Sequence, residues 1–283
     1  MKYAVISDIH SNHIAFEKAL NYIDDIHPDC IIFLGDYVTD CPYPQKTMKL
    51  LYECISRFEC RLIRGNREDY LIDHRNNPND GWCYGSSKGT LLYTYENLTN
   101  ADINFFASLP VSDEITVKGY PSLHICHGSP ENTREWIKDD DELINKYTRS
   151  IRADYLLCGH IHRSAAAYAN GKKVIFCPSL GLSSDKTGSS FIMLEYKSGL
   201  SNTEIFPIEY DRKELIAEFY ESGLLEKSKI WGKSIIKLIE EKTDYPMQCV
   251  RLAWQKSEGD TSIKNGILPE IYWEQAAREL GII

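Results

Sequence analysis

Short apolar runs that end on a polar residue alternate with helical stripes along the first two-thirds of the chain. KYAVISD (2–8), CIIFLGD (30–36) and RLIRGN (61–66) each predict a buried strand closed by Asp or Asn. Phe16, Ala19, Leu20 and Ile23, and later Met48, Leu51, Tyr52 and Ile55, recur at helical spacing, with Asn12 placed to cap the first helix. Strand, helix and strand in this rhythm form the βαβ pattern, which predicts a parallel sheet covered by helices. RNNPNDGWCYGSSK (75–88) predicts a surface loop in the position of a lid, and two helical stretches follow as far as Leu109-Pro110. PSLHICHG (121–128) and DYLLCGH (154–160) predict two more strands with polar ends. Residues 165–177 and 190–208 have antiparallel character, the first pair turning at Asn170-Gly171. Beyond Asp211 the pattern is helical over 211–241 and 268–280, with a loop at 257–266. The expected division is therefore a body of residues 1–210 and a helical C-terminal extension of residues 211–283.

The 283 residues are 43% hydrophobic and 26% charged, ordinary values for a soluble globular protein. A net charge of −9 argues against duplex DNA or long RNA as a partner, while bound cations would still admit a small phosphorylated substrate. The first apolar run is too short for a signal peptide, and no later run has the length of a membrane span, so a cytoplasmic protein with no membrane partner is expected. None of the nine cysteines forms a Cys-x-x-Cys pair. Cys30, Cys126, Cys158 and Cys177 fall in strand-like runs and are expected as small buried hydrophobes in a reducing compartment, without zinc-ribbon spacing.

Chemistry-bearing residues gather where the strands end. Asp8 and His10 follow the first, Asp36 and Asn66 end the next two, His127 ends the fourth, and His160 and His162 follow the fifth. In an open parallel sheet the carboxyl ends of the strands share one edge, so all seven are brought to one place. Two carboxylates, one amide and four imidazoles suit Mn, Fe, Zn, Co or Ni better than Ca or Mg. Seven groups exceed the needs of one tetrahedral ion and fit two divalent ions bridged by a carboxylate. Any one of the seven taken alone is an ordinary cap, turn or core residue; only the ordered set points to a metal centre.

Asp8-Ile9-His10, Gly35-Asp36, Gly65-Asn66-Arg67-Glu68, His127-Gly128 and Gly159-His160-Ile161-His162 resemble the five blocks of the calcineurin-like metallophosphoesterases. The opening Ser7-Asp8-Ile9-His10-Ser11-Asn12 resembles the small bacterial and archaeal phosphodiesterase branch of that superfamily. The resemblance spans about residues 1–208. It implies an α/β fold, a four-layer α/β/β/α sandwich of the metallophosphoesterase type with the metals at the sheet edge, here followed by the helical C-terminal extension. It also implies that Asp8, His10 and His162 hold one metal, that Asn66, His127 and His160 hold the other, and that Asp36 bridges them. The implied activity is hydrolysis of small phosphoesters or phosphoanhydrides, nucleotides among them, by in-line attack of a hydroxide shared by the metals. The alternative is a metal-retaining protein-binding scaffold with little catalysis, the role of at least one relative in a protein-sorting complex. A nuclease would want a basic track that this acidic chain does not display.

One block departs from the family pattern. The residue after Gly65-Asn66 is usually His, thought to protonate the leaving group, and here it is Arg67. Arginine keeps its proton and cannot act as a general acid. It can pair with a phosphate oxygen or a developing alkoxide, or simply with an acid such as Glu68 or Asp69. Asn12 and His13 are further candidates to contact substrate, although the first helical turn is also where an ordinary exposed residue stands, the favoured reading of His13. Trp82 and Tyr84 could stack on a base or pack their loop down. His27, His74 and His124 are expected to be structural. The extension carries apolar stripes that need burial, as a cap, a docking surface or a homo-oligomer contact. Its removal after Tyr210 is expected to leave some hydrolysis.

Overall fold

The computed structural model describes residues 1–197 and 200–283. The βαβ rhythm produces β1 (Lys2–Ile6), α1 (His13–Ile26), β2 (Cys30–Phe33), α2 (Pro44–Arg57), β3 (Cys60–Leu62) and α3 (Asn66–Asn76). Three parallel strands result, with Tyr3 opposite Cys30 and Phe33 opposite Leu62. After α4 (Gly89–Glu96) and α5 (Asn100–Ser108) come β4 (Ser112–Ile115), β5 (Leu123–Cys126), α6 (Asp141–Ser150) and β6 (Tyr155–Cys158). The hairpin of β7 (Ala165–Ala169) and β8 (Lys172–Phe176) turns at Asn170-Gly171, where both φ angles are positive, as a two-residue hairpin loop requires. β9 (Ser190–Lys197) and β10 (Leu200–Pro207) pair antiparallel.

Among the described residues the strands make two sheets, ordered β10-β9-β1-β2-β3 and β4-β5-β6-β8-β7. Strands buried on both faces should be apolar throughout, and β2 and residues 3–6 of β1 are. Tyr3, Val5, Ile32 and Leu194 of the first sheet meet Leu123, Ile125, Leu157 and Ile175 of the second in one inter-sheet core. The alternate residues Ala4, Ile6, Ile31 and Phe33 face Phe16, Ala19, Met48 and Leu51 of α1 and α2. On the far side Leu156, Cys158, Val174 and Phe176 pack against Ile144, Tyr147 and Ile151 of α6 and its end. The order of layers is therefore helix, sheet, sheet, helix.

The strands are shorter than the apolar runs suggest. The ladders stop at Ile6, Phe33 and Leu62, and the chain leaves the sheet before Asp8, Asp36 and Asn66. Asn66 is thus not a strand residue: it opens α3, which runs into the stretch expected to be loop from residue 75. Cys30, Cys126, Cys158 and Cys177 are buried, and all nine cysteines are free.

Residues 211 onward form α7 (Arg212–Glu221), α8 (Leu224–Glu241), α9 (Tyr245–Lys256) and α10 (Glu270–Glu279). They share a core with the rest of the chain: Ile14, Cys41, Tyr93 and Leu182 are packed with Leu215, Phe219, Leu224 and Ile235. Residues 85–87 are tied to the same helices. Gly85 N–H donates to the Lys227 carbonyl at 2.8 Å, and Ser86 donates from both N and Oγ to Glu270 at 2.7 Å. α8 breaks at Lys229, whose φ of 47° and ψ of −117° are non-helical, and Ser86 Oγ accepts the Ile230 N–H freed by the break. The segment expected as a lid is anchored in this way. Trp82 packs its loop down, stacked on His74 at 4.1 Å, and Tyr84 bonds Glu96 and lies under the Lys227 ammonium. Among the described residues no helix is long and apolar enough to cross a membrane.

Candidate metal centre

The loops that follow β1, β2, β5 and β6 converge at one edge of the two sheets, together with the start of α3. Their backbone is unusual: Asp8, His10, Asp36, His160 and His162 all have φ between 49° and 70°. Non-glycine residues rarely adopt this left-handed region, and such strain collects at functional sites where the surrounding fold enforces it. The glycines beside these residues are explained by close approach. A Cβ on Gly65 would lie 2.2 Å from Asp36 Oδ1, and one on Gly159 would lie 2.2 Å from Ser7 Oγ and 3.0 Å from Asp8 Oδ2. The Gly-Asn and Gly-His pairs are therefore places where one loop passes directly under another.

Two triads are close enough to hold ions: Asp8 with His10 and His162, and Asp8 with Asp36 and His127. His10 Nε2 and His162 Nε2 face each other at 3.0 Å, and Asp8 Oδ1 is 3.2 Å from His162 Nε2. Asp36 Oδ2 lies 3.4 Å from His127 Nε2 and 3.7 Å from His10 Nε2, between the two groups. Asn66 Oδ1 is 2.9 Å from His127 Nε2. The His160 ring is 5.1 Å from that of His127. All seven residues singled out in the sequence thus meet here.

The groups around them set their orientation. His127 Nδ1–H donates to the Leu34 carbonyl at 2.7 Å and His162 Nδ1–H to the Leu182 carbonyl at 2.8 Å. A carbonyl only accepts, so in each ring Nδ1 carries the proton and Nε2 is the nitrogen turned to the site. His10 makes the same arrangement with a carboxylate, its Nδ1 being 3.1 Å from Asp40 Oδ2. Glu68, fully buried, accepts from the N–H groups of Gly65, Asp36 and Tyr37 at 2.8–2.9 Å and so ties the Asp36 loop to the start of α3. Burial and the nearby Asp36 push its carboxyl up to about 7 in spite of these donors.

The residues fit a metal. Asp8 Oδ1 is buried without any hydrogen-bond partner, a costly arrangement unless a cation completes it. Burial would lower the basicity of His10 and His127, but the surrounding carboxylates outweigh it. Asp40 and Asp8 raise His10 to about 9, and Asp36 and Asp8 raise His127 to about 10. Burial disfavours ionised Asp36, yet His127 and His10 hold it down at about 2. His160 goes the other way, to about 3, through burial and the neighbouring His127, and is neutral and ready to donate a lone pair. Without a cation His10 and His127 must carry the positive charge that these acids require.

The candidate substrate contacts fare differently. Asn12 is a correction: it is wholly buried, its Oδ1 capping α1 through Ala15 N–H at 3.0 Å and its Nδ2 donating to the Gly181 carbonyl at 2.9 Å. No polar atom of its side chain is left for substrate. His13 is a second correction, because its ring is held by Glu218 of α7 at 2.9 Å. Arg67 does line the cleft before the metal edge. Its partners are neither Glu68 nor Asp69 but Asp40, with Nη2 3.1 Å from Oδ2, and Asp36, with Nε 3.9 Å from Oδ2. Its Nε is buried and makes no hydrogen bond.

Asp40 was not legible as a site residue. It is buried and joins His10, Arg67, Thr90 Oγ1 at 3.2 Å and Trp231 Nε1–H at 2.8 Å. Burial opposes its ionisation, but Arg67 and His10 keep it well below the usual carboxylate range. Its only sequence cue is its place four residues after Asp36, in a loop where Thr39 and Asp40 both have positive φ.

Two packed sheets carrying an Asp, His and Asn cluster at their shared edge define a metallophosphoesterase-type protein. The chain belongs to the calcineurin-like phosphoesterase family, whose model matches residues 1–164, more than half of its length. It is 27% identical over 185 residues to an uncharacterised protein of Methanocaldococcus jannaschii, covering 65% of this chain and 71% of that protein. In fold it is similar to a hypothetical protein from Pyrococcus horikoshii OT3, at TM-score 0.69 and 20% identity over 84% of this chain and 97% of that one. A metallophosphoesterase from Sphaerobacter thermophilus is similar at TM-score 0.66 and 20% identity, over 86% of this chain and all of that one.

Proposed function

We propose that this protein is a two-metal hydrolase of small phosphoesters or phosphoanhydrides. The observation that carries the reading is the pair of triads meeting at Asp8, with its unpartnered Oδ1, beside an Asp36 that lies between His10 and His127. Asp8, His10 and His162 would hold one divalent transition ion and Asn66, His127 and His160 the other, with Asp36 between them. Such ions acidify water and offset charge on phosphoryl oxygens. In the net reaction a water oxygen bonds to phosphorus, and the bond to the leaving oxygen breaks with its electron pair. The proton of that water ends in solvent or on the leaving group. Asp36 and Arg67 would be the catalytic side chains. The test is hydrolysis of p-nitrophenyl phosphate and bis(p-nitrophenyl) phosphate with Mn²⁺, lost on adding chelator and restored by metal. No hydrolysis with any of Mn, Fe, Zn, Co or Ni would reject the reading.

Arg67 supplies positive charge without a transferable proton. Lys88 and Arg134 lie over the Tyr70 ring, one turn along α3 from Arg67, at 5.7 and 4.4 Å, so cations flank this side of the edge in an otherwise acidic chain. Arg67→Ala is expected to lower kcat/KM by about tenfold to a hundredfold, the worth of a charge-assisted hydrogen bond. Activity should also fall steeply as the leaving group becomes more basic, and Arg67→His should flatten that dependence by restoring a titrating group. A wild-type slope no steeper than that of the His variant would remove Arg67 from this role.

Metal loading should release protons, because ligands must give up their protons to bind. With His10 held at about 9 and His127 at about 10, both are protonated at neutral pH before metal enters. Calorimetric titration at pH 7 in buffers of different ionisation enthalpy should show about two protons released per chain. In the metal-free fold these imidazoles, raised above 6.5, contribute stability in full below that value, and the contribution is lost as pH rises through about 9 to 10.

A further inference from the structure

The cleft before the metal edge has two unlike sides, an apolar lining and a few placed polar groups, as small-ligand sites do. One side is polar, made of Asp36, Asn66, Arg67 and His160. The other is apolar and comes largely from the extension: Trp231, Ile235 and Leu238 of α8 and Pro246 and Met247 at the start of α9. Trp136 also lines the cleft, its ring 5.9 Å from that of His160. Trp136 is 49% exposed and Met247 41%, and neither belongs to any of the hydrophobic cores. Large apolar side chains held in the open beside a catalytic edge contribute little to folding and much to a ligand that covers them. Arg67 is the cation of the polar side, its Nη2 paired with Asp40 at 3.1 Å and its Nε facing Asp36 at 3.9 Å. The other charged groups in the lining away from the triads, Asp40 and Asp244, are carboxylates, and Asp244 also caps α9 by accepting the Met247 N–H at 3.2 Å. They disfavour a second anionic group on the apolar side.

Building on the phosphoesterase reading, we propose that the substrate is a phosphoester whose organic group is apolar and preferably aromatic. The phosphoryl group lies at the Asp36 and Arg67 side, and the organic group covers Trp136 and Met247. A thioether and an indole are well suited to a flat ring, the sulfur contacting its edge and the indole its face. The extension is then a specificity wall for the site.

The test uses full-length, metal-loaded protein and p-nitrophenyl phosphodiesters whose second ester is methyl or benzyl, so that the leaving group stays the same. The benzyl ester should be hydrolysed with kcat/KM at least about tenfold higher than the methyl ester, as burial of a ring predicts. Met247→Asp and Trp136→Ser should each bring that ratio to within about twofold of one, while Tyr168→Ser, on the exposed strand β7, keeps it. A ratio near one in the wild type, or a ratio untouched in both cleft variants, overturns the proposal. If neither diester is hydrolysed with any metal, it is the phosphoesterase reading that fails. Quenching of tryptophan fluorescence by benzylphosphonate and by methylphosphonate then decides the proposal alone. Tighter binding of the benzyl compound, lost in Met247→Asp, supports the apolar wall, and equal affinities overturn it.

Discussion

Asp36→Asn protein is expected to fold as the wild type does and to hydrolyse p-nitrophenyl phosphoesters on the order of 10³–10⁴-fold more slowly, metals supplied. The replacement keeps the shape and changes one atom. Asp36 Oδ1 accepts the Arg67 N–H at 2.8 Å, so the introduced amide would keep its oxygen there. Its NH₂ would then point where Oδ2 now lies between His127 and His10, presenting a donor in place of a lone pair. A site that relies on this carboxylate to join two ions loses both the charge and the bridge. In the metal-free variant the His127 imidazole should also fall from about 10 towards its ordinary range, since Asp36 is the largest of the carboxylate influences holding it up. Steady-state kinetics, elemental analysis and a circular dichroism melt check the three parts. Activity within tenfold of wild type at full metal loading would end the bridging role.

Truncation after Tyr210 should abolish stable folding rather than merely alter specificity. The sequence suggests a catalytic sheet complete by residue 208, and the sheet does end there. The core does not. Ile14, Cys41, Tyr93 and Leu182 would lose Leu215, Phe219, Leu224 and Ile235 from around them, and Asp40 would lose the Trp231 indole. Glu218, which bonds His13 at 2.9 Å and Lys46 at 2.6 Å, would be lost with them. Losing several large core side chains costs about 2–5 kcal/mol apiece, against a total stability of roughly 5–15 kcal/mol. The expected product is insoluble or lacks a cooperative melt. A truncated chain that is monomeric, melts cooperatively and turns over substrate would show that the extension is an appendage after all.

The parallel strands and the gathering of Asp, Asn and His near their ends were legible because local pattern carried them, whereas the four layers were legible only through the family resemblance. Runs such as KYAVI and CIIF can be apolar throughout only if both faces are covered, and the residue types that follow them announce ligands. What escaped was what local pattern does not encode. β4 is four residues long and polar at three of them, as an edge strand can be. α6 has a cap at Asp140 and an apolar stripe through Ile144, Tyr147 and Ile151, a short signal set between charged neighbours. α9 is concealed by Pro246, which is tolerated only because it falls in the first turn. Asp40 becomes a site residue through Trp231, 191 positions away, and the apolar wall of the cleft exists only once α8 and α9 have docked. Asn12 and His13 mislead in the opposite sense. Each has the right position beside Asp8 and His10, but packing from Gly181 and Glu218 engages them.

Titrating metal-free protein with Mn²⁺ while following p-nitrophenyl ester hydrolysis decides whether two ions cooperate at this edge. Activity is expected to climb and to reach its plateau at two equivalents per chain. A plateau at one equivalent, or turnover undiminished when no metal is present, would contradict it.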